Sequence, residues 1–89
     1  MIIEFDKSFS KSLDKLKDTK VKAKIEHIIN DFDNAQILTD IKGIKKMVGF
    51  NSYYRIRLGD YRLGIELKPG NIARFIIVAH RKDIYKIFP

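Results

Sequence analysis

Cysteine is absent from the 89 residues, so neither a disulfide framework nor a cysteine-ligated metal site can be built. Histidine is scarce: His27 and His80 lie far apart, and the carboxylates are not spaced as a metal cage, so no metal or other cofactor is expected. No run approaches the roughly 20 apolar residues of a membrane span. The start, M-I-I-E-F-D, lacks the basic opening and long apolar stretch of a signal peptide, and the chain is therefore expected in the cytoplasm, away from membrane. No phosphate-loop glycine pattern and no Ser-His-Asp or Cys-His arrangement is present. Without repeats, linkers or low-complexity tracts, residues 1–89 are expected to form a single domain. Acid is in short supply: 11 Asp+Glu stand against 18 Lys+Arg, a net charge of +7. Such an excess favours polyanionic partners, whether nucleic acid, ribosome or an acidic protein, without choosing among them.

What is present centres on Tyr53 to Leu67, Y-Y-R-I-R-L-G-D-Y-R-L-G-I-E-L. Two runs with strand-like alternation flank Gly59-Asp60, a two-residue hairpin turn with glycine available for positive φ. This turn sets Leu58 opposite Tyr61, Arg57 opposite Arg62 and Arg55 opposite Gly64. Three guanidinium groups then share one face, two of them directly across from each other. Like charges so placed destabilise a sheet. An anion held between them offsets that cost, and phosphate suits arginine.

The rest of the chain supplies a cover for the other face. Ile2 to Asp6 reads as a strand. Ser8 is a candidate N-cap for a helix over about Phe9 to Lys17, striped by Phe9, Leu13 and Leu16. Thr19 caps a second helix whose stripe is Val21, Ile25, Ile28 and Phe32, with His27 beside it and given no function. So short a joint makes the two helices an antiparallel hairpin. In the connection from Asp33 to Gly43, Ile37 and Leu38 are expected to anchor the backbone. Ile44 to Val48 reads as an edge strand. Lys42, Lys45 and Lys46 cluster here, either as a solvated face or as nucleic-acid contacts. After the hairpin, Lys68-Pro69-Gly70-Asn71 is a turn and Ile72 to His80 the most apolar strand. Ile84 and Phe88 are spaced to pack a last helical turn onto the sheet, with Tyr85 projecting elsewhere. The predicted fold is α+β: an N-terminal strand, an α-helical hairpin on one face of a mainly antiparallel sheet, and a short C-terminal helix.

The register of the last strand follows from a three-residue loop, Pro69 to Asn71. It sets Glu66 opposite Arg74, Ile65 opposite Phe75, Leu63 opposite Ile77 and Arg62 opposite Val78, which pairs charges and keeps the core apolar. The same register sends His80 to the face of Arg55, Arg57 and Arg62. With Arg81 and Tyr85 these form a constellation suited to metal-free RNA cleavage. A 2′-oxygen attacks phosphorus, guanidinium groups stabilise the phosphoryl oxygens, and the 5′-oxygen leaves. Arginine stays protonated and makes a poor base, so His80 is the candidate proton carrier. Tyr85 can stack on a base. Each has a plainer reading: exposed strand charges for the arginines, a strand end bonded to backbone for His80, packing for Tyr85.

The element order and the strings Y-Y-R-I-R-L-G-D-Y-R-L and V-A-H-R-K-D-I-Y resemble the RelE/ParE superfamily of type II toxins. The resemblance covers nearly the whole chain. In the RelE branch it implies a ribosome-dependent endoribonuclease, an mRNA interferase cutting in the ribosomal A site. The basic pair of the Y-x-I-x-L strand, the arginine of Y-R-L and the C-terminal arginine and tyrosine carry over as Arg55, Arg57, Arg62, Arg81 and Tyr85. His80 resembles the histidine of H-R-x-D/E-x-Y relatives. Lys42, Lys45, Lys46, Tyr53 and Lys82 are the accompanying candidate RNA contacts. Two departures stand out: the strand pair is Arg-Arg where some members have lysines, and the Arg81-to-Tyr85 spacing is shorter than in some. The ParE branch, which inhibits DNA gyrase, is the alternative, as is a non-enzymatic basic binding module. Membership also implies a cognate antitoxin, with operator DNA reached through that antitoxin alone.

Overall fold

The computed structural model describes all of residues 1–89. Its elements are β1 (Ile2–Phe5), α1 (Lys7–Lys15), α2 (Thr19–Asn34), a single 3-10 turn (Leu38–Asp40), β2 (Ile44–Lys46), β3 (Tyr53–Leu58), β4 (Tyr61–Lys68), β5 (Ile72–His80) and α3 (Ile84–Ile87). The five strands are ordered β1-β5-β4-β3-β2. Only the β1–β5 pair is parallel, and the α1–α2 hairpin leaves from the end of β1 to cover one face. No helix is long and apolar enough to cross a membrane.

Both helices begin at an aspartate, not at the hydroxyl residues expected. Asp6 accepts from the Ser8 amide at 3.0 Å, and Asp18 from the amides of Lys20 and Val21 at 3.0 and 3.2 Å. A carboxylate at an N-cap adds charge to the bond and complements the helix dipole, while the Ser8 hydroxyl is committed to the Ile76 carbonyl. α1 is as long as its pattern suggested but starts and ends two residues earlier, because Asp6 caps it and the chain turns at Leu16, which buries itself. Phe9, Val21, Ile25, Ile28 and Phe32 then meet Ile56, Leu58, Leu63, Ile65, Phe75 and Val78 in one core. At its centre the Phe75 ring stands edge-on to Phe5, Phe9 and Phe32, at 5.6, 5.5 and 5.2 Å. In the connection, Ile41 is the buried anchor; Ile37 is exposed and Leu38 only partly covered.

The β3–β4 register is the one the turn predicts, with Gly59 at φ 62° and Arg57 across from Arg62. The β4–β5 register begins as predicted, Glu66 with Arg74 and Ile65 with Phe75, and then changes. Gly64 pairs with Ile77, so Ile76 is an extra residue bulged from β5. Beyond it Leu63 faces Val78, Arg62 faces Ala79 and Tyr61 faces His80. A bulge frees backbone groups, and α1 takes them up. Ser8 Oγ bonds the Ile76 carbonyl, and Ser12 Oγ, one turn on, accepts from the Val78 amide at 3.1 Å. One extra residue reverses the facing of everything after it. His80 therefore lies on the helix side with Tyr61, not among the arginines.

Candidate functional site

The sheet face turned away from the helices carries two unlike halves. Around β1, Arg74 donates to Glu4 at 3.0 Å and to Asp6 at 2.7 Å, and Lys68 donates to Glu4 at 3.0 Å. The bond from Ser8, then that from Arg74, holds the Asp6 carboxyl down to about 2, and Lys68 followed by Arg74 lowers that of Glu4. These charges are mutually satisfied. Arg74 is thus spent on β1, not on Glu66, its neighbour in register.

The half built on β3 and β4 is unsatisfied. Arg55, Arg57 and Arg62 share this face and none makes an ion pair. Lys45 of β2 sits across from Arg55 and adds a fourth cation. The Arg62 guanidinium folds back over the hairpin turn: Nη1 donates to the carbonyls of Gly59 and Tyr61 at 2.6 and 2.8 Å, while Nε is buried without a partner. A buried donor left unpaired is costly, so the side chain gains by swinging out to an anion's oxygen. Arg81 reaches the same turn, through its amide to the Asp60 carbonyl at 2.7 Å and its guanidinium 3.9 Å from the Asp60 carboxylate. Lys24 of α2 also comes to this corner, its Nζ 3.7 Å from where a β-carbon on Gly59 would stand.

The C-terminal segment crosses this face. Ile84 (0% exposed) and Phe88 (3%) are buried and Tyr85 (58%) is not, as their spacing predicts. The Phe88 ring lies flat over Gly64, where a β-carbon would stand within 2.8 Å of a ring carbon. Tyr53 stands edge-on to both Phe88 and Phe50, at 5.6 and 5.7 Å. Its ring is thus packed into the support of the C-terminal segment. Tyr85 projects beside Arg55, Lys45 and Lys46 into a groove of about 420 Å³, whose other lining residues are Met47 and Val48.

The remaining predicted contacts are elsewhere. Lys42 lies beside Asp31, Asn34 and Asp40 at the end of α2. Lys82 is exposed in the turn after β5, where its amide donates to His80 Nδ1 at 3.2 Å. That bond leaves Nε2 as the open ring nitrogen. The imidazole stands edge-on to Tyr61 at 5.5 Å and lines a cleft with Ser12 and Lys15 of α1 and with Leu16 just past its end. The structure thus joins Arg55, Arg57, Arg62, Arg81 and, through the groove, Tyr85, and separates His80 from their face. Lys24, Met47 and Val48 are additions to the expected site: the sequence puts Val48 at the end of the edge strand, which stops at Lys46; an apolar Met-Val pair ahead of a turn glycine is a faint signal.

A family model described as "ParE toxin of type II toxin-antitoxin system, parDE" matches residues 3–85. The chain is 43% identical, over the full length of both, to Toxin RelE3 of Methanocaldococcus jannaschii. It superposes on a chain of the RelB-RelE antitoxin-toxin complex from Methanococcus jannaschii with a TM-score of 0.81 and 40% identity, covering 97% of this chain and 99% of that one. An archaeal RelE-RelB complex from Pyrococcus horikoshii shares the fold, with a TM-score of 0.65, 21% identity and coverage of 90% and 93%.

Proposed function

The chain belongs to the ParE toxin family within the RelE/ParE superfamily, as a RelE-like toxin of a toxin–antitoxin system with a cognate antitoxin as partner, and we propose that it is an endoribonuclease acting on mRNA at the ribosome. The observation that carries this reading is the set of three arginines without counter-ions on the β3–β4 face, one with a buried unpaired Nε. An RNA phosphate supplies what that face lacks. In the reaction, the 2′-oxygen forms a bond to phosphorus and gives up its proton, the bond to the 5′-oxygen breaks, and that oxygen takes a proton. The products are a 2′,3′-cyclic phosphate and a 5′-hydroxyl. Negative charge grows on the phosphoryl oxygens in between, and Arg55, Arg57 and Arg62 stabilise it with positive charge that a metal ion would otherwise provide. Arg81, at the same turn, extends the track for the neighbouring phosphate, and Tyr85 faces a base. No proton is routed through His80, which is held across the sheet. A ribosomal target places the work in the cytoplasm.

Primer extension on mRNA after induction tests this. Discrete cuts within reading frames are expected, and Arg62→Ala should reduce cutting by roughly 10²-fold or more, as loss of a transition-state donor does. Cuts undiminished in Arg62→Ala would overturn the assignment. The ParE description of the matching family favours a second reading, inhibition of DNA gyrase. Growth arrest with intact mRNA and gyrase-dependent plasmid linearisation would establish that instead.

A further inference from the structure

The turn between β3 and β4 holds two arginines before any ligand arrives. Its Gly59 and Tyr61 carbonyls accept from Arg62 Nη1 at 2.6 and 2.8 Å, and its Asp60 carbonyl accepts from the Arg81 amide at 2.7 Å. The Asp83 amide donates to the His80 carbonyl at 2.9 Å, which draws the chain tight around Arg81. The Arg81 backbone is therefore anchored to the turn, and its side chain alone is left to choose a partner. Arg81 Nε stands 3.9 Å from Asp60 Oδ1, with both side chains more than half exposed.

The charge of Asp60 runs against its surroundings. Arg57 and Arg62 face each other at the strand ends next to it, Arg81 follows β5, and Lys24 reaches the same corner from α2. The turn itself needs no carboxylate, since asparagine or serine serves equally well after glycine in a two-residue hairpin. A carboxylate among these cations lowers the hold of their site on any anion. At 3.9 Å the contact with Arg81 is an ion pair and not a hydrogen bond, and an exposed pair shifts an equilibrium by no more than about fivefold. A phosphate takes two N–H groups of one guanidinium at hydrogen-bond distance and outcompetes it. The pair is strong enough to place Arg81 and weak enough to give way. We propose that Asp60 stands in for an RNA phosphate on Arg81 in the free chain and releases the guanidinium when RNA binds. The inference rests on the ribonuclease reading and adds to it a residue that restrains the hold on RNA. Asp60 is a positioning residue: it acts through Arg81 and touches no RNA.

The test follows the arginine Nε–H signals by NMR at about 0.15 M salt, where exposed charges further apart than the pair are largely screened. A short single-stranded RNA with a 2′-deoxy scissile ribose is titrated into the chain, and inorganic phosphate in a parallel series. Each should move the Arg81 signal, and Asp60→Asn should move it before any ligand is added. Asp60→Asn should tighten binding of RNA and of phosphate about twofold to fivefold, the range of one exposed pair, while Asp60→Glu, which keeps the charge, should not. In an Arg81→Gln background the gain from Asp60→Asn on RNA should fall below about 1.5-fold. A gain of undiminished size there would overturn the proposal, since Asp60 would then act on the whole positive face and not on Arg81. An Arg81 signal unmoved by Asp60→Asn, or unchanged affinity, would overturn it too. If the parent chain cuts no mRNA in the primer-extension assay, the ribonuclease reading fails, and the phosphate series still decides whether Asp60 restrains Arg81.

Discussion

Gly64 is a glycine in the middle of a strand, and the sheet would gain by replacing it were it not for one ring. Its φ lies outside the left-handed region, so alanine fits the backbone. In that setting alanine should be favoured by roughly 0.5–1 kcal/mol through lower chain entropy. A β-carbon, however, would stand 2.8–2.9 Å from three carbons of the Phe88 ring. Ordinary carbon contacts are about 3.5–4.0 Å, so either the ring or the strand must shift by more than half an ångström. Holding both in place is overpacking, at about 1–3 kcal/mol. If Phe88 swings out instead, the cost is its burial, about 1.5–3 kcal/mol for a side chain now 3% exposed. Either route matches or outweighs the backbone gain, and Gly64→Ala should destabilise by up to roughly 2.5 kcal/mol.

The sign should reverse once the ring is gone. In a Phe88→Ala background the added methyl meets no ring, and Gly64→Ala should be neutral or stabilising by up to about 1 kcal/mol. Urea unfolding of the four chains, compared at constant m-value, gives the coupling directly. An equal effect of Gly64→Ala in both backgrounds would refute the packing of the C-terminal segment on Gly64.

Three further outcomes follow from the geometry. Ser12→Ala removes the acceptor of the Val78 amide beside the bulge and should destabilise by about 1–3 kcal/mol in urea unfolding, the cost of a buried donor left unpaired. The Asp6 carboxyl is held near 2 when folded against an ordinary 3.8, so its contribution to stability is complete above the ordinary value and is lost as pH falls through about 2; Asp6→Asn should flatten the decline in urea midpoint over that window. His80→Ala, which alters the helix side of the sheet, should fall far short of the roughly 10²–10⁴-fold loss in mRNA cutting expected of a general acid or base; a loss on that scale would place His80 in the reaction after all.

How much of this was legible in the sequence turns on which signals had a single solution. The Gly59-Asp60 turn fixed its own register, so the Arg57–Arg62 juxtaposition followed from counting residues. Helix stripes gave the core, and the spacing of Ile84, Tyr85 and Phe88 gave the facing of each. The caps were misplaced by two residues and one, since Asp6, Ser8, Asp18 and Thr19 are all competent and only their place in the folded chain decides among them. The ion pairs of Arg74 could not be foreseen either: they come from β1, seventy residues away for Glu4, through a parallel pairing that no local pattern announces.

The bulge at Ile76 has a different origin. Phe75-Ile76-Ile77-Val78 is four apolar residues in a row, and such a run has no phase: either parity buries something acceptable. Arg74 and Phe75 fix the facing at one end of β5, but nothing apolar at the other end contradicts a straight strand. The deciding groups lie in α1, where Ser8 and Ser12, one turn apart, meet the backbone that the bulge releases. A straight β5 would leave those hydroxyls against a regular ladder and turn Val78 toward the arginines. The helix and the bulge therefore specify each other. The facing of His80, and with it the chemistry open to the arginine face, is set by two serines sixty-eight and sixty-six residues upstream of their partners.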